Sequence, residues 1–382
     1  PPPPPPPPFF LQAEDVIRDS STSRGRGDVY KRQALAGSLV AVSAQAGEMS
    51  VSAGANLTYK HGSANSSLSS RGIGSDMDLA FSGGGELDNG TTFSVNTATL
   101  DDVTGLTSSY ITISTPSFGT FTVGHSFGSA AYKYDEEVPQ AYEQVSDPHH
   151  TTTASANKVG DFMDNNVIAY TSPSFDLGGA SLTIDAAYSP QADESRVGDG
   201  GNPAHSTTIG KGQELGVTIA YEGFKLGAYG AERERIQDPS VADSVRDEFN
   251  GVWYAKASFG PVSIGYSEAY LDSGVTGTAE STIAAKAFRT AAGIFENTQM
   301  SVAFNVNDNL SISYTDSEDV YDAQDNASTA VADVTQDIEA IQVSYSMGGM
   351  SIKAYQMEVT NPGYDTDADK GKETEIALGL AF

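Results

Sequence analysis

From Met49 to Lys60 apolar and polar residues alternate. Met49, Val51, Ala53, Ala55, Leu57 and Tyr59 share one face, and Ser50, Ser52, Asn56, Thr58 and Lys60 share the other. A period of two predicts a strand with one apolar and one wet side. The same parity recurs in Met77-Leu79-Phe81, Phe121-Val123, Leu182-Ile184-Ala186-Tyr188, Leu215-Val217-Ile219-Tyr221 and Val262-Ile264-Tyr266. It returns in Met300-Val302-Phe304-Val306, Leu310-Ile312-Tyr314 and Ile341-Val343-Tyr345. The chain closes on Ile376, Leu378, Leu380 and Phe382 with small residues between them. Weaker segments lie near 91–99, 108–115, 166–172, 224–233, 248–258 and 350–359, which brings the expected count to sixteen.

The connections alternate in length. Short ones, rich in Gly, Pro, Asn or Asp, sit at Pro116 to Gly119, Glu222-Gly223, Phe259 to Pro261, Asn307 to Asn309 and Met347 to Gly349. Long acidic ones fall at 61–72, 100–107, 127–165, 190–212, 235–247, 272–297, 316–336 and 360–371. An up-and-down barrel that spans a membrane keeps all its long loops at one end, and an even strand number closes it. The predicted fold is therefore all-β, a transmembrane antiparallel up-and-down β-barrel of about 16 strands over residues 47–382.

Composition agrees. The mean hydropathy is −0.29, and beyond residue 46 no apolar run approaches the roughly 20 residues of a membrane helix. A barrel can be net hydrophilic because every second residue faces water. With 0 Cys there is neither a disulfide framework nor a thiolate metal site. Ala34 to Ala46 is apolar and small and ends in Ala44-Gln45-Ala46, the pattern of a signal-peptidase site, so 34–46 reads as a signal peptide remnant cleaved before Gly47. Residues 1–33, opening on Pro1 to Pro8, show no periodicity and read as a non-native leader; their Arg-Gly-Asp at 26–28 is set aside with them.

Several motifs together carry a family resemblance. The Asn165 to Phe175 hairpin (NNVIAYTSPSF), the Pro116 to Gly124 turn and strand (PSFGTFTVG), the signal peptide and the terminal Phe382 resemble the general porins of Gram-negative bacteria, most of all the alphaproteobacterial type. The resemblance implies a trimeric sixteen-stranded barrel whose third loop, here about 127–165, folds inward to narrow the pore.

That loop carries Asp135, Glu136, Glu137, Glu143, Asp147, Asp161 and Asp164 against Lys133 and Lys158. Folded into the lumen, such a segment attracts cations. Strand parity puts Lys60, Lys225, Arg233 and Lys353 on the inner wall, so an acidic loop facing a basic wall is expected to set a transverse field. Residues 47–382 hold 16 Lys and Arg against 46 Asp and Glu, a formal charge of −30 that repels nucleic acid and favours cations. No cofactor is required by this reading. Asp365, Asp367 and Asp369 resemble a calcium half-site, although Lys370 and Ile376 break the EF-hand pattern and a plain acidic loop is the simpler account.

Other motifs lead nowhere. Gly124-His125-Ser126-Phe127-Gly128 matches the nucleophile elbow of hydrolases, yet no helix is predicted after it and no βαβ alternation surrounds it. His149-His150 reads as a solvated pair and Gly83-Gly84-Gly85 as a turn. The expectation is a passive outer-membrane channel for small hydrophilic solutes and ions, not an enzyme, cation-preferring, with lipid and lipopolysaccharide around it and a homotrimeric assembly implied by the resemblance. Two alternatives stay open: a solute-selective porin with an aromatic track drawn from Tyr132, Tyr134 and Tyr142, and a structural or adhesive barrel with a closed pore.

Overall fold

The computed structural model describes residues 48–63, 71–99, 107–135, 137–145, 159, 163, 165–192, 209–236, 244–276, 293–323 and 332–381. The leader, the signal segment and Phe382 lie outside them. Sixteen long strands follow one another: β1 Glu48–Gly62, β2 Arg71–Glu86, β3 Thr92–Thr99, β4 Ser108–Thr115, β5 Gly119–His125, β6 Val167–Thr171, β7 Ser181–Ser189 and β8 Ile209–Tyr221. The second half continues with β9 Phe224–Arg235, β10 Glu248–Phe259, β11 Val262–Asp272, β12 Gly293–Asn307, β13 Leu310–Ala323, β14 Val334–Met347, β15 Met350–Thr360 and β16 Gly371–Ala381. Each pairs antiparallel with the next, and β16 pairs back onto β1, with Tyr59 opposite Ile376 and Lys60 opposite Glu375. A closed sheet leaves no edge, so the backbone polar groups in the wall are satisfied without water.

Cross-strand partners share a face, which carries the sequence parity round the whole wall. Met49, Val51, Leu57, Met77, Val95, Ile111, Phe121, Leu215, Ile264, Met300, Ile341 and Leu380 point outward and are exposed, as a lipid-facing belt requires. Above the belt on β10–β14, aromatic rings meet carboxylates: Trp253 Nε1 donates to Glu268 at 3.0 Å and the Tyr266 hydroxyl to the same group at 2.5 Å. Aromatic side chains with one apolar and one polar end settle at such a boundary.

The structure lengthens several strands at the expense of the expected loops. β12 begins at Gly293, β13 runs to Ala323, β14 starts at Val334 and β2 starts at Arg71. Polar residues lie on both faces there: Glu296, Glu318 and Glu339 point outward, and Asn297, Asp319 and Gln336 inward. Beyond the lipid a strand needs no apolar face, so its hydrophobic period disappears while its pairing continues. Gly83-Gly84-Gly85 is also no turn. It lies within β2, where a Cβ on Gly84 would stand 2.5 Å from the Phe93 carbonyl oxygen of β3, and the chain reverses only at 87–91.

Candidate functional site

The third long connection leaves β5 through backbone that only a few residues adopt, with Ser126 at φ 50° and Ser129 at φ 49°. Its two ends are tied by Ser126 Oγ donating to Asn165 Oδ1 at 3.3 Å, and Phe127 packs on Tyr110 of β4. From there the chain runs along the inner wall. Ser129 and the Ala130 N–H donate to Glu214 of β8. After a short 3-10 turn, Ala131–Lys133, the Tyr134 hydroxyl donates to Asp185 of β7 at 2.9 Å, and Lys133 pairs with the same carboxylate. Glu137 Oε2 lies 3.0 Å from Lys225 Nζ of β9 and 2.6 Å from Lys256 Nζ of β10.

Beyond Glu137, Pro139 abuts Gly265 of β11 and its carbonyl accepts from Ser301 of β12. The Ala141 N–H donates to Ser313 of β13 at 2.9 Å and the Tyr142 N–H to Gln342 of β14 at 2.7 Å. The Tyr142 hydroxyl reaches Glu375 of β16 at 2.7 Å. An extended segment without secondary structure has to place its backbone groups somewhere, and here inward side chains of the wall take the role of a neighbouring strand.

The expected site residues therefore divide. Asp135 ends the 3-10 turn, half-buried, its N–H donating to Ala131. Glu137 touches Lys225 directly, so these two charges meet in contact and not across open water. Glu143 is 1 % exposed, and its carbonyl accepts from Gln342 at 2.5 Å. Lys60 bridges Glu373 and Glu375 at 3.1 and 3.2 Å, and Lys353 stands 5.8 Å from the centre of the Tyr142 ring.

Arg233 is buried, paired with Glu248 of β10 at 2.5 Å and donating to the Ala192 carbonyl at 3.1 Å. Lys225, Lys60 and Lys353 stand on the stretch of wall that the loop follows. Glu136, Asp147, Asp161, Asp164 and His149-His150 lie outside the described residues.

Tyr134 is 0 % and Tyr142 4 % exposed, while Tyr132 keeps 39 %. Tyr134 stacks on Tyr229 at 5.3 Å, so two of the three rings proposed for an aromatic track are packing residues. Among the described residues no group of three His, Asp or Glu side chains is placed to hold a metal; Asp365 instead accepts the Asp367 N–H at 2.9 Å. Sequence reasoning missed Asp185, Glu214, Ser313 and Gln342. The available signal was their inward parity on strands that otherwise alternate cleanly.

Inward side chains on the loop's side are buried, among them Asn250, Tyr254, Gln299, Thr315, Gln342 and Tyr355. Toward the long-loop end they merge into a cluster of Ile209, Val252, Leu271, Phe295, Tyr321 and Tyr364. Across the barrel the inward residues of β1–β5 stay partly exposed: Ser52, Asn56 and Thr58, then Asp76, Asp78 and Ser82, then Ser94, Asn96, Thr112 and Thr122.

A polar inner face beside an inward-bonded loop, inside a closed sixteen-stranded wall, is a channel architecture, and the family model for Gram-negative porins matches residues 34–349. The chain belongs to the Gram-negative porins. Solved structures agree on the fold. The in-vitro folded OmpT of Vibrio cholerae, in its trimer form, is 15 % identical with a TM-score of 0.58, covering 88 % of this porin and 100 % of that chain. Salmonella typhi OmpF in complex with daunomycin is 12 % identical with a TM-score of 0.63, covering 88 % and 98 %. A mutant of Rh. blastica porin is 13 % identical with a TM-score of 0.51, covering 88 % and 100 %. No curated protein matches this porin in sequence.

Proposed function

We propose that this porin is a passive, water-filled diffusion channel of the outer membrane for small hydrophilic solutes and ions, and that it prefers cations. One observation carries the reading: the inner face of β1–β5 is lined by hydroxyl, amide and carboxylate groups that remain partly exposed, while the loop is bonded along the rest of the wall. Such a lining wets, and polar solutes exchange hydration for hydrogen bonds along it. The formal charge of −30 over residues 47–382 supports the cation preference. Asp135 and Glu136 add to that charge on the loop.

Transport runs down a gradient and requires no turnover. Ser126, in the hydrolase-like motif, is buried and hydrogen-bonded to Asn165, which suits a loop anchor better than a nucleophile. Export by the 34–46 signal, a homotrimer like the trimer form of the Vibrio protein, and contact of the outward acidic rim with lipopolysaccharide complete the proposal.

The test is single-channel current of the refolded 47–382 protein in a planar bilayer under a KCl gradient. Ohmic steps with a cation-selective reversal potential are expected, grouped in threes for a trimer. Silence from protein shown to be folded would favour a structural barrel with a closed pore, and an anion-selective reversal would remove the charge preference.

A further inference from the structure

We infer that three inward glycines, Gly212 and Gly216 of β8 and Gly265 of β11, set the width of the channel by letting the loop seat directly on the backbone of the wall. The inference rests on the channel reading above and names the wall positions that fix its size limit.

A glycine inside a strand costs conformational entropy and packs no side chain, so it often marks a place where another group comes close to the backbone. Register puts all three on the inward face. Gly216 stands opposite Asp185 of β7 and Tyr229 of β9, and Gly212 opposite Ser189 and Arg233 of the same two strands. Gly265 stands opposite Lys256 of β10 and Ser301 of β12. Each lies under a different part of the loop. A Cβ on Gly216 would stand 2.4 Å from the Tyr134 ring, one on Gly265 2.4 Å from Pro139 Cδ, and one on Gly212 2.5 Å from Met163 Sδ. The early part of the loop, its middle and its return are thus each seated on bare backbone.

Two of these contacts have no easy relief through side-chain rotation. Tyr134 is 0 % exposed, stacked on Tyr229 and hydrogen-bonded through its hydroxyl to Asp185. At Gly265 the neighbour is a proline ring, with Val138 Cα at 3.1 Å beside it, so the loop backbone itself has to give. Met163 is a flexible side chain that can bend aside, which makes Gly212 the softest seat of the three. Carbon atoms in contact rest about 3.5–4.0 Å apart, so a methyl group at Gly265 would lift the loop by roughly 1 Å. The wall stands behind the loop, and the lift is therefore toward the lumen. Glu137 is held by Lys225 and Lys256 on one side of Pro139, and the Ala141 N–H by Ser313 on the other, so the segment between them bows inward.

Gly72 of β2 supplies the contrast. It also faces inward, opposite Lys60, but a Cβ there would meet nothing within 4 Å. A methyl group at Gly72 adds to the lining without touching the loop, and so separates the bulk of one methyl from the displacement it causes.

In planar bilayers Gly265→Ala should lower the unitary current by about a fifth or more and shift the exclusion of neutral polyethylene glycols to smaller sizes, while Gly72→Ala leaves both unchanged. Pro139→Ala takes away the ring atom that meets the new methyl group, so Gly265→Ala combined with Pro139→Ala should recover at least about half of the lost current. A general loosening of the barrel would not be repaired in this way. An unchanged or larger current in folded Gly265→Ala would overturn the assignment, and so would a loss that the second substitution does not recover. Should Gly265→Ala fail to fold, Gly216→Ala is read by the same currents. The seating is also read without current: the Ala141 amide proton, bonded to Ser313, should exchange faster in Gly265→Ala and return toward the wild-type rate in the double variant. Equal exchange in all three proteins would overturn the seat at Gly265. A folded wild type that carries no current would sink the channel reading instead, and amide exchange would still decide where the loop is seated.

Discussion

The Tyr142 hydroxyl donates to Glu375 at 2.7 Å, joining the inward loop to the last strand 233 residues further along the chain. The same carboxylate holds Lys60 at 3.2 Å and lies 3.4 Å from the Tyr355 hydroxyl, so one buried acid ties the loop, the closing strand pair and β15 together. The sheet closes where β1 meets β16, and the loop is fastened at that seam.

Tyr142→Phe keeps the ring against Tyr355 and removes only the donor. A buried hydrogen bond to a charged acceptor contributes about 1.5–3 kcal/mol, and the two remaining partners of Glu375 favour the lower figure. We expect a melting temperature lowered by a few degrees and more open-channel current noise as the loop end loosens. Identical noise and melting would show that backbone contacts alone hold the loop.

Glu137 is the hub of a second fastening. Its Oε2 accepts from Lys225 and Lys256, whose ammonium groups would repel each other without it. Each Lys keeps about a quarter of its side-chain surface exposed, so solvent screens the pair and the coupling should be nearer 1 than 5 kcal/mol. Glu137→Gln should make the loop a protease target in the folded barrel. A cycle with Lys256→Gln should return a coupling of about 0.5–2 kcal/mol, and strict additivity would mean the contact carries no energy.

Much of the barrel was legible because lipid imposes a parity that cannot slip. Met49 to Tyr59 and Leu215 to Tyr221 point outward as their alternation required. Legibility failed where a face meets neither lipid nor a core. The strand extensions carrying Glu318 and Glu339 had no period to read, and Gly83 to Gly85 had no side chains to give one. At the site, parity placed Lys60, Lys225 and Arg233 inward, but the choice of partner lies in three dimensions. Arg233 closes on Glu248 beside it, a pairing that sequence distance alone cannot separate from any other acid.

Tyr364 offers a pH test outside the wall. It sits in the connection between β15 and β16, packed against Phe295 and Tyr321, and donates to Asp319 at 2.6 Å. Burial, with the Asp319 charge adding to it, pushes its phenol well above the ordinary value of 10.0. A raised pKa means the folded state holds the proton more tightly, so this contact is fully present below pH 10 and is lost as pH rises further. Alkaline titration followed by tyrosinate absorbance should show a group of buried phenols resisting beyond the exposed set in wild type, and that group should be smaller by one in Tyr364→Phe. Titration of all tyrosines near pH 10 in folded protein would contradict the buried contact.

Two turn glycines with similar backbones make a last comparison, because their surroundings differ. Gly119 opens β5 at φ 84° and Gly260 joins β10 to β11 at φ 60°. Both lie in the left-handed region, where a Cβ costs about 1 kcal/mol. At Gly260 a Cβ would meet nothing within 4 Å, whereas at Gly119 it would stand 2.2 Å from the Thr171 carbonyl oxygen and 3.0 Å from Pro173 Cδ. The neighbours at Gly119 are β6 backbone and a proline ring, neither of which can swing aside. Relief would require β5 and β6 to part at the end away from the loop that joins them, where β5 begins and β6 ends. Gly260→Ala should therefore refold with a loss of about 1 kcal/mol, and Gly119→Ala should lose at least about 2 kcal/mol more, seen as a low yield of the heat-resistant barrel on gels. Equal yields would mean that the β5–β6 pair yields to the side chain at its end away from the loop, and that this end is softer than its contacts imply.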